Sequence, residues 1–296
     1  MKFRNFDNIK IYTIIFLFIF TFFIVKETYY SAPDNLLKVH FLNVGQGDSI
    51  LVQTPSHKNI LIDTGKDAVT LSKLGEKLRS NFSPINIFFD QSNFEIIILT
   101  HDDMDHIGAL PLVLKKYKSK ILFTSLASST NISWKESVNI AEEKNIQIKN
   151  IDSAGEIDLG DNVKIKILFP IKNMNGIDDG NSASIVTQII YGKSKFLLTG
   201  DLGHAGEFFL KNIYGEKLRS DILKLGHHGS DTSSHPEFLN VVKPEIAIIS
   251  AGKNNSFGHP HRTVLDLLDK FKIKYLETSK ENTITFISDG INIWKE

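Results

Sequence analysis

The feature that most constrains this chain is a group of four potential metal ligands directly after a short apolar segment. His101, Asp103, Asp105 and His106 follow residues 95–99, whose Ile-rich composition is typical of a buried strand. A strand that ends abruptly lets the next loop direct several side chains at one point. Two imidazoles and two carboxylates at one point would repel or stay unsatisfied unless a divalent cation held them. The pattern predicts a metal site, with a solvated charged loop as the alternative.

The remaining pattern predicts an α/β fold. Short β-branched segments run first in hairpins and then alternate with helical segments, and this order repeats in the second half. We expect strands over residues 36–43, 49–53, 59–63, 94–99, 121–124, 163–169, 184–191, 195–199, 222–225, 245–250 and 283–287 and around 275, and helices over 64–79, 107–117, 207–214 and 262–271. Two sheets packed face to face with helices outside satisfy this order, which gives a four-layered αββα sandwich.

Residues 1–30 differ from the rest of the chain. An apolar run over residues 11–25 lies between Lys10 and Lys26, which is typical of a membrane anchor or a signal-peptide core. A buried core helix is the third alternative. Because no small-residue cleavage site follows, we expect an uncleaved N-terminal membrane helix, with the body of the protein, residues 31–296, as one domain outside the cell.

Composition limits the chemistry and the partners. The chain has no cysteine, so any metal site must use histidine and carboxylate ligands. It carries 34 basic and 34 acidic residues, and this balance gives no electrostatic case for tight nonspecific binding to nucleic acid. No glycine turn forms a dinucleotide or phosphate-loop fingerprint, so no organic cofactor is expected.

Further polar loops lie at the ends of predicted strands. Their candidate residues are Asp63, Asn181, Asp201, the pair His227 and His228, and the pair His259 and His261. Each has an ordinary alternative, because aspartate caps helices, Asx residues form turns, and histidines sit in proline turns. We expect the Asp63 carboxylate to orient the ligand loop rather than to bind metal.

Taken in order, these motifs resemble the metallo-β-lactamase-fold superfamily. More narrowly, the segments 41–48, 181–184, 197–201, 226–230 and 258–261 resemble the extracellular hydrolase domain of the competence DNA-uptake channel family ComEC. The resemblance covers about residues 36–290. The many membrane helices of the channel are missing from the sequence, so we expect a stand-alone relative to which DNA uptake itself does not carry over.

The resemblance implies a site for two divalent metal ions, Zn²⁺ or Mn²⁺, of which one is bound more tightly. It assigns His101 and Asp103 to one metal, Asp105, His106 and His228 to the other, Asp201 as the bridge, and His227 to metal or substrate. The sequence departs from the family pattern in two ways: Asp103 replaces a histidine, and no histidine lies between His106 and His204. Asn181 or water would replace the missing ligand, and the weaker, harder first site favours manganese.

The implied activity is extracellular hydrolysis of a phosphodiester in nucleic acid by a metal-activated hydroxide. Asp105 would orient the hydroxide, His259 and His261 would donate to phosphate or leaving group, and Asn181 with Ser184 would position the glycine and histidine loops. Two alternatives stay open. One is another hydrolase of the fold, such as a cell-wall phosphocholine esterase or a lactonase. The other is an anchored, non-catalytic binding protein. The sequence leaves the oligomeric state open.

Overall fold

The computed structural model describes residues 4–31, 34–79, 93–125, 129–171 and 184–296. The strands are β1 (Leu37–Phe41), β2 (Ile50–Gln53), β3 (Asn59–Ile62), β4 (Asn93–Leu99), β5 (Lys118–Thr124), β6 (Gln147–Asn150), β7 (Gly155–Gly160), β8 (Val163–Phe169), β9 (Val186–Tyr191), β10 (Ser194–Leu198), β11 (Ile222–Lys224), β12 (Ile246–Ile249), β13 (Lys274–Glu277), β14 (Ile284–Ser288) and β15 (Ile293–Lys295). The α-helices are α1 (Arg4–Ser31), α2 (Val69–Arg79), α3 (Met104–Ile107), α4 (Leu110–Lys116), α5 (Ile132–Glu143), α6 (His204–Tyr214), α7 (Pro236–Val242), α8 (Arg262–Phe271) and α9 (Thr278–Glu281).

The strands form two mixed sheets. One has the order β15-β14-β1-β2-β3-β4-β5-β6, and the other has the order β13-β12-β11-β10-β9-β8-β7. Each sheet starts along the chain with antiparallel pairs. Parallel pairs joined by helical crossovers follow, from β3 onward in the first sheet and from β10 onward in the second. Near the C-terminus β14 returns to pair with β1, which closes the first sheet with residues far apart in sequence.

Alternation along the central strands builds three apolar layers. In β4, Ile96 and Ile98 face the other sheet, while Ile97 and Leu99 face the helices. Such strands are buried on both faces, which explains why the sequence shows continuous apolar runs. One core lies between the sheets, and a further core lies between each sheet and its own helices. The result is the predicted order of helices, sheet, sheet and helices.

The N-terminal helix α1 carries exposed apolar side chains, among them Phe16, Phe18 and Phe20. Across the residues that the structure describes, no helix combines the length and apolar character needed to span a bilayer. The predicted membrane helix is therefore not shown here.

Several elements differ from the sequence expectation. The helix expected over 64–79 begins only at Val69, and the helix expected over 107–117 is divided into α3 and α4. Ala109 lies between these two helices, and its N–H donates to Gly65 O at 3.0 Å, so the second helix begins where the chain contacts the preceding loop. Helices α5, α7 and α9 and strands β6, β7 and β15 were not expected.

Candidate metal centre

The candidate residues converge because the strands that precede them end at the same edge of the molecule. Asp63 follows β3 and His101 follows β4, and these two strands are parallel neighbours. Asp201 follows β10 and His228 follows β11, which are parallel neighbours in the other sheet. The crevice outside the carboxyl ends of parallel strands is the usual place for a binding site in α/β folds.

A glycine turn packs directly against the loop that carries the first ligands. A Cβ added to Gly47, whose φ is +121°, would overlap the carbonyl oxygen of Asp105. The same carbonyl accepts a hydrogen bond of 3.1 Å from the N–H of Asp48. A residue with a side chain would push this turn away from the ligand loop, so glycine is required by close approach as well as by its backbone angle.

The backbone at the other ligand loop is held in an unusual conformation. His227 and His228 have φ values of 45° and 56°, in the left-handed region that non-glycine residues rarely adopt. Strain of this kind costs about 1–3 kcal/mol per residue and concentrates at functional sites. Here it directs the buried His228 ring into the crevice between the two sheets.

Four ligand atoms form a compact group at the centre of the crevice. His106 Nε2 lies 3.3 Å from His228 Nε2, and both nitrogens lie close to Asp201 Oδ2, at 3.3 Å and 3.2 Å. Asp105 Oδ2 completes the group at 3.2 Å from His228 Nε2. His106, His228 and Asp201 are almost completely buried.

These separations fit a divalent metal ion. Ligand atoms placed tetrahedrally at about 2.0–2.1 Å from a metal lie about 3.3 Å from one another. The buried Oδ1 of Asp201 makes no hydrogen bond within the described part of the chain, and neither does Nε2 of His101. Nitrogen lone pairs and carboxylate oxygens that face one another in a buried crevice are stabilised by a cation between them.

A second group beside this one is looser. His101 Nε2 lies 3.6 Å from Asp103 Oδ2 and 3.8 Å from Asp201 Oδ2. The Asp103 side chain is 52 % exposed, whereas His101 is 1 % exposed. A metal at this position would have fewer and less buried ligands from the described residues than a metal at the compact group.

The histidines of the ligand loop are oriented by a buried hydrogen-bond network. Asp63 Oδ2 accepts a 2.8 Å hydrogen bond from His106 Nδ1, as the sequence predicts, and the Thr100 hydroxyl donates to the same oxygen at 2.7 Å. Thr100 Oγ1 in turn accepts from His101 Nδ1 at 2.9 Å. With both Nδ1 atoms protonated, the Nε2 lone pairs of His101 and His106 face the crevice, the tautomer that metal binding requires.

The structure adds two residues that the sequence reasoning did not assign to the site, Asp48 and Lys224. Lys224 is completely buried; its ammonium pairs with Asp48 Oδ2 and lies 3.6 Å from Asp201 Oδ1. Asp48, His106, Asp201 and His228 offer ligand atoms that all lie within 4.8 Å of one another. Asp48 Oδ2 is paired with Lys224, and Asp48 Oδ1 faces His228 Nδ1 at 3.6 Å without a hydrogen bond, so Asp48 lies between the buried lysine and the second ligand loop.

In the compact group, the attraction between the histidines and the carboxylates has a larger effect on their pKa values than burial has. Burial lowers the pKa of His106 and His228, but the charges of Asp201, Asp63 and Asp105 prevail; the pKa of His228 rises to about 9 and that of His106 lies well above its usual value. Burial likewise opposes ionisation of Asp201, yet the neighbouring cations hold its pKa well below the usual range. Protons on the two rings supply the positive charge that a divalent ion between them would otherwise supply.

The other predicted residues lie around the cluster. His227 Nδ1 is 3.1 Å from Thr232 Oγ1, and its ring centroid is 5.4 Å from that of His259. The His259 ring lies 6.3 Å from the His228 ring. Both ring nitrogens of His261 are used within the loops: Nδ1 accepts from Asp231 N at 3.0 Å, and Nε2 lies 3.2 Å from the carbonyl oxygen of residue 257. This arrangement leaves His261 no free donor for a phosphate.

The two residues expected to position the loops have different outcomes. Ser184 Oγ accepts a 3.1 Å hydrogen bond from the N–H of Asp201 and lies 3.4 Å from His101 Nδ1. Ser184 therefore links the bridge candidate to the first ligand loop. Asn181 lies outside the described residues.

Comparison with known proteins agrees with this fold. Residues 42–253 match the metallo-beta-lactamase superfamily. The chain is 34% identical to ComE operon protein 3 of Bacillus subtilis and 32% identical to competence protein ComA of Neisseria gonorrhoeae, over 84% and 86% of its length. Among solved structures, the metallo hydrolase Igni18 of Ignicoccus hospitalis has a TM-score of 0.52 at 16% identity, covering 85% of this chain and 98% of that one.

The chain belongs to the metallo-beta-lactamase superfamily and has the fold of its metal-dependent hydrolases. Within it, the chain is homologous to the competence proteins, which confirms the predicted resemblance. It spans about a third, 33%, of the length of each of these two relatives.

Proposed function

We propose that this protein is a metal-dependent phosphodiesterase that acts on nucleic acid. The observation that carries the proposal is the compact group of His106, His228, Asp105 and Asp201, whose spacing fits a divalent ion. A second, more weakly held ion would use His101 and Asp103 and share Asp201. Because the second position is loose and rich in oxygen, manganese suits it better than zinc.

Divalent ions at this centre would activate water and neutralise the charge that develops on a phosphodiester. Asp105 has a pKa below its usual range, because the hydrogen bond to His228 and the charges of His106 and His228 prevail over burial. An ionised Asp105 accepts a hydrogen bond from the attacking water and orients it for in-line attack. Its side chain is only partly buried, so water reaches it.

His259 has a different role, that of a neutral hydrogen-bond donor. Burial and the neighbouring His228, His227 and His261 lower its pKa to about 4. At neutral pH it therefore carries one ring proton, which it would donate to a phosphate oxygen without adding a positive charge. Positioning of the phosphate, rather than proton supply to the leaving group, is the role this supports.

Two facts bear on the choice of nucleic acid as substrate. One of the homologous proteins is named a competence protein, and the matched region of the chain contains the metal centre. Against it, the balance of 34 basic and 34 acidic residues provides no general attraction to polyanions. We therefore expect recognition to depend on the metal centre and its surroundings, with modest affinity away from it.

The proposal is tested with the purified full chain and Mn²⁺ or Zn²⁺, using single-stranded DNA, bis-p-nitrophenyl phosphate, a phosphocholine ester and a lactone in parallel. We expect cleavage of DNA and of the phosphodiester, and loss of both in His106→Ala. His57→Asn is the matched control, since His57 lies outside the centre and asparagine tolerates its φ of 62°. Turnover of only the phosphocholine ester or the lactone would favour another hydrolase, and no turnover would favour a binding protein.

We also propose that residues 1–30 attach the protein to a membrane, with the body outside the cell. Support comes from the exposed apolar side chains of α1, for example Phe16 at 65% and Phe18 at 75% exposure. Flotation of the full chain with lipid vesicles tests this. Recovery of the protein with the vesicles supports attachment, and recovery in the vesicle-free fraction contradicts it.

A further inference from the structure

A pocket of about 270 Å³ opens directly beside the metal centre. Asp105 forms one side, so whatever fills the pocket lies next to a group that would hold metal and orient water. Lys66, Met104 and Phe257 contribute a cation and two apolar surfaces to the lining. The mechanism above uses none of these three side chains.

Phe257 is the most unusual of them, because a large aromatic ring is exposed on a loop that is firmly held. Its side chain is 62% exposed. The ring stacks on His259, with centroids 5.7 Å apart and planes inclined by 22°. The ring therefore lies beside the phosphate-positioning histidine while most of its surface is left open.

The loop that carries Phe257 is fixed by one asparagine. Asn255 Oδ1 accepts from the N–H of Phe257 at 3.1 Å and from that of His259 at 3.0 Å, and Asn255 Nδ2 donates to Gly252 O at 3.0 Å. Gln46 Oε1 accepts from Gly252 N at 3.1 Å and ties this loop to the opposite side of the pocket. An exposed aromatic ring on a preorganised loop loses little conformational entropy on binding a flat ligand.

Lys66 supplies the charge. It is exposed, and the loop before it is fixed by the hydrogen bond from Ala109 N to Gly65 O at 3.0 Å. The pocket thus presents an aromatic face, a thioether and an ammonium group beside the metal centre. A nucleotide has the matching parts, because a base stacks on an aromatic ring and a phosphate pairs with a cation.

We propose that this pocket is a nucleotide subsite in which an unpaired base next to the scissile phosphate stacks on Phe257 while Lys66 contacts a neighbouring phosphate. The inference rests on the proposed function and narrows its substrate class to single-stranded nucleic acid. A base in a duplex is stacked on both faces and paired along its edge, so it offers no free face to Phe257.

The test separates base from backbone. Binding of the full chain with Mn²⁺ to a fluorescein-labelled phosphorothioate oligothymidylate, which resists hydrolysis, is followed by anisotropy and repeated with an oligonucleotide whose sites are abasic. Phe257→Ala should weaken binding of the base-bearing strand by between about 5-fold and about 100-fold and leave the abasic strand unchanged. Phe257→Tyr should restore binding, and Phe257→Leu should not.

Two further variants complete the design. Phe208→Ala removes another exposed phenylalanine, 56% exposed and on α6, and should change neither strand. Lys66→Gln should weaken both strands and reduce the slope of log affinity against log salt by about 0.7.

The outcomes distinguish this inference from the proposed function. Equal weakening of both strands in Phe257→Ala, or no weakening of either, overturns the subsite while DNA cleavage by the wild type still stands. If the wild type neither cleaves unmodified DNA nor binds the phosphorothioate strand, the proposed function and the subsite fail together.

Discussion

Removing the charge of Lys224 should destabilise the metal-free protein more than any surface charge does. Its ammonium is completely buried, pairs with Asp48 and lies 3.6 Å from Asp201 Oδ1. At an effective dielectric constant of about 20, a pair at 3.6 Å attracts by about 4–5 kcal/mol. Lys224→Met keeps the volume but leaves two buried carboxylates without this partner, and breaking such a buried pair costs about 3–5 kcal/mol.

The assay is urea unfolding of metal-free wild type and variant at pH 7, followed by circular dichroism. Lys243→Met is the matched control, because Lys243 pairs with Glu216 at 3.4 Å while both side chains are exposed, at 48% and 71%. An exposed pair contributes about 1 kcal/mol or less. We therefore expect a loss of about 3–5 kcal/mol for Lys224→Met and less than about 1 kcal/mol for Lys243→Met.

A loss below about 1 kcal/mol for Lys224→Met would refute the reasoning. It would mean that Asp48 and Asp201 are compensated by other groups, or that they take up protons at little cost. A smaller urea dependence without a change in midpoint would instead indicate that less surface is exposed on unfolding, as in a more compact denatured state.

Three further predictions concern single groups. Asp63→Asn removes the charge that holds His106 Nδ1–H and should weaken Mn²⁺ binding by about 10–100-fold in calorimetric titration. Gly47→Ala should lower the free energy of unfolding by at least about 1–3 kcal/mol and weaken metal binding, because the new methyl group meets the Asp105 carbonyl. Burial lowers the pKa of His40 to about 4. Its neutral ring therefore contributes fully to the free energy of unfolding above the unfolded pKa of 6.5, and this contribution is lost as the pH falls towards 4. In urea unfolding, His40→Gln should reduce the loss of stability on acidification by about 3 kcal/mol.

Each has a control within the chain. Asp161→Asn changes an aspartate with a similar φ, 55°, on the surface, and metal binding should not respond. Gly45→Ala changes a glycine with φ +82° where an added Cβ would meet nothing within 4 Å, so it tests backbone strain without the overlap. For His40, equal acid loss in wild type and His40→Gln would show that other groups cause the pH dependence.

The sequence identifies the ligand loops because their signal is local. Apolar runs buried on both faces mark the central strands, and the polar residues that follow them mark the edge where they end. Residues 95–99 followed by His101 show this directly. The two-sheet order also follows from local patterns, since hairpins precede crossovers in both halves.

Residues joined by long-range contacts are less visible. Lys224 interrupts an apolar strand, which is the signal that a buried charge has a partner, but nothing in the sequence names Asp48 as that partner. Helix α5 was missed because two of its buried positions, Ser133 and Ser137, are serines, so its buried face does not read as a continuous apolar repeat. The engagement of both His261 nitrogens within the loops was hidden because it depends on contacts that form only in the folded chain.

The most direct test of the metal centre is anomalous scattering from crystals of the full chain grown with Mn²⁺. The strongest peak should lie within bonding distance of His106 Nε2, His228 Nε2, Asp105 and Asp201, with a weaker peak beside His101. Absence of a peak at the compact group under saturating Mn²⁺, with these side chains turned apart, would contradict the account.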